Sequence, residues 1–412
     1  MVTVVPSTRR EFLSNAILLP TLFTQIAGAR LVGTVPLGGV GGSAAPPFGR
    51  LLGEGLDARL FTDLSALGDP AGSSLSSSSS SSSSAIRNPQ SALITPTDRF
   101  FVRTAASSTL PAASAWAIRV GGLVDSPVAV ALRDLESRIA PPVRVLLECS
   151  GNADQTNYGL MSAADWEGVP LAAVLDRVRP SNGASRILVS GVDDDSRAWR
   201  SSVAGASWIF TRDELQRAIL AVRMNGTPLP RDHGLPVRLI VPGWYGCACI
   251  KWVDRIELVP DAAPATSQMR EFAARTHQDA ALLARAFDSP SGSDSLRARD
   301  FIPAVIDTAA MPIRVEKWIA NGRPEYRITG IIWGGSKPTN ALSIRFKSGG
   351  PWTRVDDCPL PASVLTWSLW SHTWRPTEPG RYQIVLRVDD PAIRTRRLDI
   401  FFYVREIQID DV

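Results

Sequence analysis

Val143-Arg144-Val145-Leu146-Leu147-Glu148-Cys149-Ser150-Gly151-Asn152 sets a β-branched, apolar run directly against a small, polar turn. Val143 to Leu147 shows no clean alternation, which predicts a strand buried on both faces. Cys149 then stands where that strand gives way. Most free cysteines are inert core residues. A thiol at the mouth of a Ser-Gly-Asn turn is instead placed to meet a ligand, as a nucleophile or as a soft-metal ligand.

A second apolar run, Val237 to Val241, carries the complementary chemistry on its flanks. Pro230-Arg231-Asp232-His233-Gly234 precedes it, Arg238 lies within it, and Gly243-Trp244-Tyr245-Gly246-Cys247-Ala248-Cys249-Ile250-Lys251-Trp252 follows. Arginine suits bidentate recognition of phosphate, and lysine adds a point charge. Glycines let backbone amides approach a bulky anion. Between the two runs, Leu171–Val178 and Asp213–Met224 read as helices. Residues 91–264 are therefore expected to form a mixed α+β domain.

Outward from this domain the texture changes. Residues 30–90 are rich in Gly, Pro and Ser, with an unbroken serine run at 76–84, and predict a flexible linker. Upstream, Arg9-Arg10-Glu11-Phe12-Leu13, a mildly apolar stretch to Ala29 and the small-residue site Ala27-Gly28-Ala29 predict a twin-arginine signal peptide over 1–29. That implies export in the folded state to a periplasmic or other extracytoplasmic space. No other segment is long and apolar enough to suggest a membrane span. Downstream, Gln268–Phe287 reads as a helix within a connector over 265–300. From 301 to 405, period-two alternation in Leu342–Phe346, Tyr382–Val388 and Leu398–Val404 predicts an all-β sandwich. Its Trp-rich stretch 366–374 is apolar at both parities, so its second face needs a cover from the first domain or from another subunit.

Composition narrows the functions. The chain has 412 residues and a net charge of +4, with no dense basic stripe, which argues against a nucleic-acid partner. Its 4 cysteines match neither a disulfide framework nor zinc spacing, and no CxxCH run exists for haem attachment. A Cys149–His233 hydrolase dyad would leave Arg238 and Lys251 without a role.

These motifs together resemble the sulfite oxidase family of mononuclear molybdenum enzymes. The resemblance rests on Phe100-Phe101-Val102-Arg103, Cys149-Ser150-Gly151-Asn152, Trp166-Glu167-Gly168-Val169-Pro170-Leu171, Asn225-Gly226-Thr227-Pro228-Leu229-Pro230 and the block from His233 to Trp252. It extends over residues 91–405, with the last domain similar to the family's Ig-like dimerisation domain. The resemblance implies one molybdenum-molybdopterin per chain with Cys149 as metal ligand and, with Arg103, as a catalytic residue. It assigns the cofactor to Phe101, Val102, Arg103, Thr104, Asp193, His233, Arg238, Cys249, Ile250 and Lys251. It implies oxygen-atom transfer to a small sulfur-containing substrate, a separate electron acceptor such as a cytochrome, and a homodimer. Alternatives are a reductase of a sulfoxide or other oxo compound, and a non-catalytic secreted binding protein of the same fold. Ala105, Ala153 and Asp154 stand where the family has a histidine and basic residues, and Trp199 aligns loosely with its tyrosine. Arg103 remains and Arg200 is a further candidate cation, but the pocket is less basic than a sulfite site.

Overall fold

The computed structural model describes residues 29–39, 51–53, 58–68, 93–106, 110–153, 159–192, 206–287, 296–400 and 402–412. Apart from Ala29, the signal reading lies outside them, as do the serine run, Asp154, Asp193, Trp199 and Arg200. The chain enters as β1 (Ala29–Val35) and β2 (Gly38–Gly39). The middle of the chain forms β3 (Ala117–Gly122), β4 (Val128–Ala131), α1 (Leu132–Glu136), β5 (Val143–Glu148), β6 (Met161–Pro170), α2 (Leu171–Leu175) and β7 (Arg186–Gly191). It continues through β8 (Ser207–Thr211), β9 (Ile219–Met224), β10 (Thr227–Pro228), β11 (Arg238–Ile240) and β12 (Val253–Val259). After α3 (Ser267–Glu271) and α4 (Ala280–Phe287) come β13 (Ala309–Ala320), β14 (Arg323–Trp333), β15 (Leu342–Arg345), β16 (Thr353–Arg354), β17 (Ser368–Trp374), β18 (Gly380–Val388) and β19 (Arg405–Ile409).

Two sheets carry the middle region. One runs β10-β9-β6-β5 with β11 paired to β9; the other runs β4-β3-β12-β7-β8. β5 and β11, the two apolar runs of the sequence, thus share a sheet. Val145, Leu146 and Leu147 are buried, as are Arg238, Leu239 and Ile240. Two antiparallel sheets carry the C-terminal region, β1-β13-β14-β17 and β16-β15-β18-β19-β2. Trp374 of β17 stacks on Phe346 at 4.1 Å and meets Tyr382 of β18 edge-on at 4.7 Å, so aromatic rings join these two sheets.

Several expectations need correction. Ile219–Met224 is a strand, not the end of a helix. Its consecutive apolar residues Ile219 to Val222 are buried between β6 and β11, and sheet pairing overrides the helical propensity of Leu, Ala and Met. The helix read over Leu171–Val178 is α2 alone, Leu171–Leu175. The connector helix is broken: α3 and α4 are separated by a 3-10 turn at Ala273–Arg275 and by His277 in the left-handed region, at φ 57. The linker is not one continuous tether. β1 pairs with β13, β2 pairs with β19, and Phe61, Leu64 and Leu67 are buried in the core. Leu398–Val404 is not a strand: Tyr403 and Val404 N–H groups both turn back to the Ile400 carbonyl, and the ladder resumes only at Arg405. The segment just before Leu398 reaches the first domain, where Arg396 pairs with Glu148 at 2.7 Å.

The Trp-rich stretch has its second cover inside the chain. Trp367 Nε1 donates to the Leu93 carbonyl at 2.8 Å, and the Leu146 N–H donates to the Leu365 carbonyl at 2.7 Å. Among the described residues no helix is long and apolar enough to cross a membrane.

Candidate functional site

Cys149 begins where β5 stops. Its N–H donates to the Leu160 carbonyl at 2.9 Å, and its own carbonyl accepts the Asn152 N–H at 2.8 Å. The Asn152 side-chain oxygen accepts the Leu160 N–H at 2.9 Å, and the Gly151 N–H lies 3.4 Å from Cys149 Sγ. The Ser-Gly-Asn turn thus folds back beside the sulfur and gives it one backbone donor, the Gly151 N–H. Burial pushes the thiol's pKa up, with Arg103 the main pull in the other direction. An isolated thiol here stays protonated, and only metal coordination would draw the proton off.

The Phe101–Thr104 loop faces it. The Phe101 N–H donates to Ser162 Oγ at 3.0 Å, and Val102 exchanges backbone hydrogen bonds with Leu60, from the segment read as linker. Arg59 Nη1 donates to the Arg103 carbonyl at 2.5 Å. Lys251 then ties this loop to the far wall. Its Nζ donates to the Thr104 carbonyl at 2.5 Å, to Thr104 Oγ1 at 2.8 Å and to the Asp232 carbonyl at 3.0 Å. The ammonium therefore works as a clamp between two loops. Trp252, at φ 54, is held beside it by Nε1 donating to the Arg231 carbonyl at 2.9 Å.

The wall formed by His233 and Arg238 is cationic and buried. Arg231–His233 forms a 3-10 turn closed by Gly234 at φ 113, where any Cβ would press on the Arg238 side chain at 3.0 Å. His233 is buried, its ring edge-on to Phe100 at 5.2 Å. Burial first, then Arg238 and Lys251, push its pKa down to about 3, so the imidazole is neutral. Burial also pulls Arg238 down to about 10, which leaves it charged at neutral pH. Its Nη1 donates to the His233 carbonyl at 3.3 Å, whereas its Nε has no hydrogen-bond partner among the described residues. A buried guanidinium is costly unless an anion meets it.

Cys149 and Arg238 open onto one cavity, lined also by Phe101, Val102, Arg103, Thr104, His233, Cys249, Ile250 and Lys251. Cys249 is fixed: Sγ accepts from the Val241 N–H at 3.4 Å, and burial raises its pKa. Among the expected site residues, only Asp193 falls outside the described residues. Sequence reading missed Cys247, Gln268 and Phe272, which also line the cavity. Gln268 donates to the Cys247 carbonyl, so the connector, read as a bridge, forms a wall. Its helical periodicity marked an apolar face without indicating what that face covers.

Among the described residues no group of three His, Cys, Asp or Glu side chains could hold a bare metal ion. A metal at Cys149 would need further ligands from a cofactor. The residues fit such a group: the Cys149 thiol at the end of its strand and an incompletely bonded buried guanidinium, Arg238, line the same cavity.

Comparison with known proteins gives the same picture. A model of the oxidoreductase molybdopterin binding domain matches residues 106–267. Sulfite oxidase of Gallus gallus is 27% identical over 329 residues, covering 73% of this chain and 67% of the relative. Nitrate reductase [NADPH] of Beauveria bassiana is 31% identical over 159 residues, covering 35% of this chain and 18% of the relative. This chain thus spans two thirds of the chicken protein and a small part of the fungal one. The crystal structure of the sulfane dehydrogenase SoxCD from Paracoccus pantotrophus has a similar fold, with a TM-score of 0.58 at 18% identity, over 92% of this chain and 91% of that one.

Proposed function

We propose, for a chain that belongs to the sulfite oxidase family of molybdopterin oxidoreductases, oxygen-atom transfer to a small sulfur-containing substrate, with electrons passed to a separate acceptor. The cofactor is molybdenum-molybdopterin. When bound, it supplies two-electron oxygen-atom chemistry that no side chain can provide. Cys149 is the protein's thiolate for the metal. Arg238, with the neutral His233 beside it, receives the pterin phosphate. Arg103, at the thiolate end, orients a substrate by its positive charge. Lys251 holds Thr104 and Asp232 in register across the cavity.

The observation that carries this reading is that the Cys149 thiol, at the end of its strand, and the buried Arg238 guanidinium, which meets no carboxylate among the described residues, line a single cavity. The test is metal analysis of protein made in a molybdopterin-competent host, followed by steady-state assays with sulfite, reduced sulfur compounds and sulfoxides. Near-stoichiometric molybdenum with turnover of a sulfur donor is expected. Protein without molybdenum would favour a non-catalytic binder.

One observation favours a second reading, reduction of a sulfoxide or other oxo compound. Lys251 spends its ammonium on three protein acceptors, and Phe101, Phe272 and Trp252 furnish apolar wall. Such a pocket suits a substrate with less negative charge than sulfite. The same assay panel separates the two directions.

Export and assembly complete the proposal. Arg9 and Arg10 are the twin-arginine pair, and replacing both with Lys should leave loaded precursor in the cytoplasm, read by fractionation; normal export rejects the signal. A homodimer through the C-terminal sheets is tested by light scattering at micromolar concentration, where a stable monomer rejects it.

A further inference from the structure

The residue just before the metal thiolate has its side chain held by another domain. Glu148 is 1% exposed and Arg396, from the segment that leaves the C-terminal sheet, has a side chain 7% exposed. Arg396 Nη1 and Nη2 each donate to one Glu148 carboxylate oxygen at 2.7 Å. Trp333 Nε1, at the end of β14, donates to Glu148 Oε2 at 2.8 Å. Asn152 Nδ2 donates to Glu148 Oε1 at 3.3 Å. The guanidinium is itself fixed, with Nη1 also donating to Tyr403 Oη at 2.8 Å and its backbone N–H donating to the Thr308 carbonyl at 3.0 Å.

This network reaches Cys149 from two sides. Through Asn152 it closes the turn around the sulfur, because Asn152 also accepts the Leu160 N–H and Leu160 in turn accepts from Cys149. Through its backbone carbonyl, Glu148 accepts the Gly246 N–H at 2.7 Å, which sets the facing turn of the cavity. A Cβ at Gly246 would sit 3.3 Å from that carbonyl. A bidentate fork fixes the plane of a carboxylate, not only its position. An apolar contact of the same size would dock two domains as well as a buried ion pair does. What the pair adds is direction.

We propose that Arg396 is a positioning residue: docking of the C-terminal domain, through its fork on Glu148, sets the orientation of the Cys149 Cβ–Sγ bond in the cavity. The proposal rests on the molybdopterin reading above. It makes the second domain part of the redox site although, among the described residues, it lines none of the cavity.

The test uses loaded holoenzyme and the thiolate-to-molybdenum charge-transfer absorption, a signature that reports sulfur orientation and not packing. Arg396→Gln should keep its molybdenum, shift that band and lower turnover by about 10–100-fold. Arg396→Lys, which keeps charge but not the fork, should shift it less and recover part of the turnover. Arg394→Gln is the control: Arg394 lies on the same strap and pairs with Asp307 at 2.8 Å. It should leave the band at its wild-type position. An unshifted band in loaded Arg396→Gln overturns the proposal, as does an equal shift in Arg394→Gln. Should the Gln variant fail to fold, an unshifted band in Arg396→Lys overturns it. Wild-type protein without molybdenum would instead overturn the molybdopterin reading, and this inference with it.

Discussion

At the Cys149 end of the cavity, the buried carboxylate of Glu148 takes two bonds from Arg396 and one each from Trp333 and Asn152. At the other end, the buried guanidinium of Arg238 has one bond to a carbonyl and an Nε without a partner among the described residues. Both ends bury charge and both guanidiniums keep an Nε without a hydrogen bond, but among the described residues only Arg396 meets a carboxylate, whereas Arg238 has a carbonyl and the Trp166 ring at 5.5 Å. The first end is rigid before any cofactor arrives. The second carries a cost that only an incoming anion removes. The protein therefore shapes the thiolate in advance and lets the cofactor complete the phosphate end.

The largest effect should come from the sulfur itself. Cys149→Ser is expected to abolish turnover while the protein still folds. The substituted hydroxyl is buried and costs about 1–3 kcal/mol in stability, which calorimetry would register separately from activity. Turnover that survives in this variant would remove Cys149 as the metal ligand.

Next come two substitutions of one kind with opposite expected signs. Glu148→Met leaves Arg396 buried and unpaired, so metal-free protein should lose about 3–5 kcal/mol in chemical denaturation. Arg238→Met removes a charge that no carboxylate answers among the described residues and keeps an apolar chain against the Trp166 ring, 5.5 Å from the guanidinium, so metal-free protein should be as stable as wild type or more stable by about 1 kcal/mol. The same Arg238 variant should release its pterin more readily, by about 10–100-fold, because a charge-assisted hydrogen bond worth about 1.5–3 kcal/mol is lost. Pterin fluorescence in the filtrate measures that release. Equal destabilisation of the metal-free protein by both substitutions would erase the distinction between the ends.

Legibility followed the same division. The two apolar runs were readable because burial on both faces writes a continuous Val, Ile and Leu pattern, and β5 and β11 lie where that pattern stands. Cys149, His233, Arg238 and Lys251 were readable as chemistry because they lie in or close around those runs, beside turns rich in small residues. Contacts that depend on distant pairing were not readable. Nothing in Ile219–Met224 says that two neighbouring strands await it, so helical propensity misled. Nothing around Leu31 or Phe61 says that β13 and the first domain will hold them, so low complexity was read as tether. Arg396 lies just before the alternating stretch Leu398–Val404, which reads as strand. Its partner is 248 residues away in sequence, and the alternation carries no trace of it.

The smallest expected effect is a dependence on pH, and it also separates the ends. His233 has a pKa pushed down to about 3 in the fold, against 6.5 when unfolded, by burial and by the neighbouring charges of Arg238 and Lys251. The neutral imidazole is the form the fold accepts. Its contribution is therefore complete above about pH 6.5 and declines as pH falls toward 3, because the unfolded chain binds the proton first. Between pH 6.5 and about pH 5 this group alone should cost metal-free protein about 2 kcal/mol. His277 and His372 are also shifted down, first by burial, but both remain in a His233→Gln variant. The difference between the two denaturation profiles thus isolates His233, and the variant should show the shallower acid loss. In loaded protein the gap between the profiles should narrow, because an anion on Arg238 offsets the positive charges that, after burial, keep the imidazole neutral. A gap of the same size with and without cofactor would mean that the anion does not sit at Arg238, and that this end of the cavity does not wait for it.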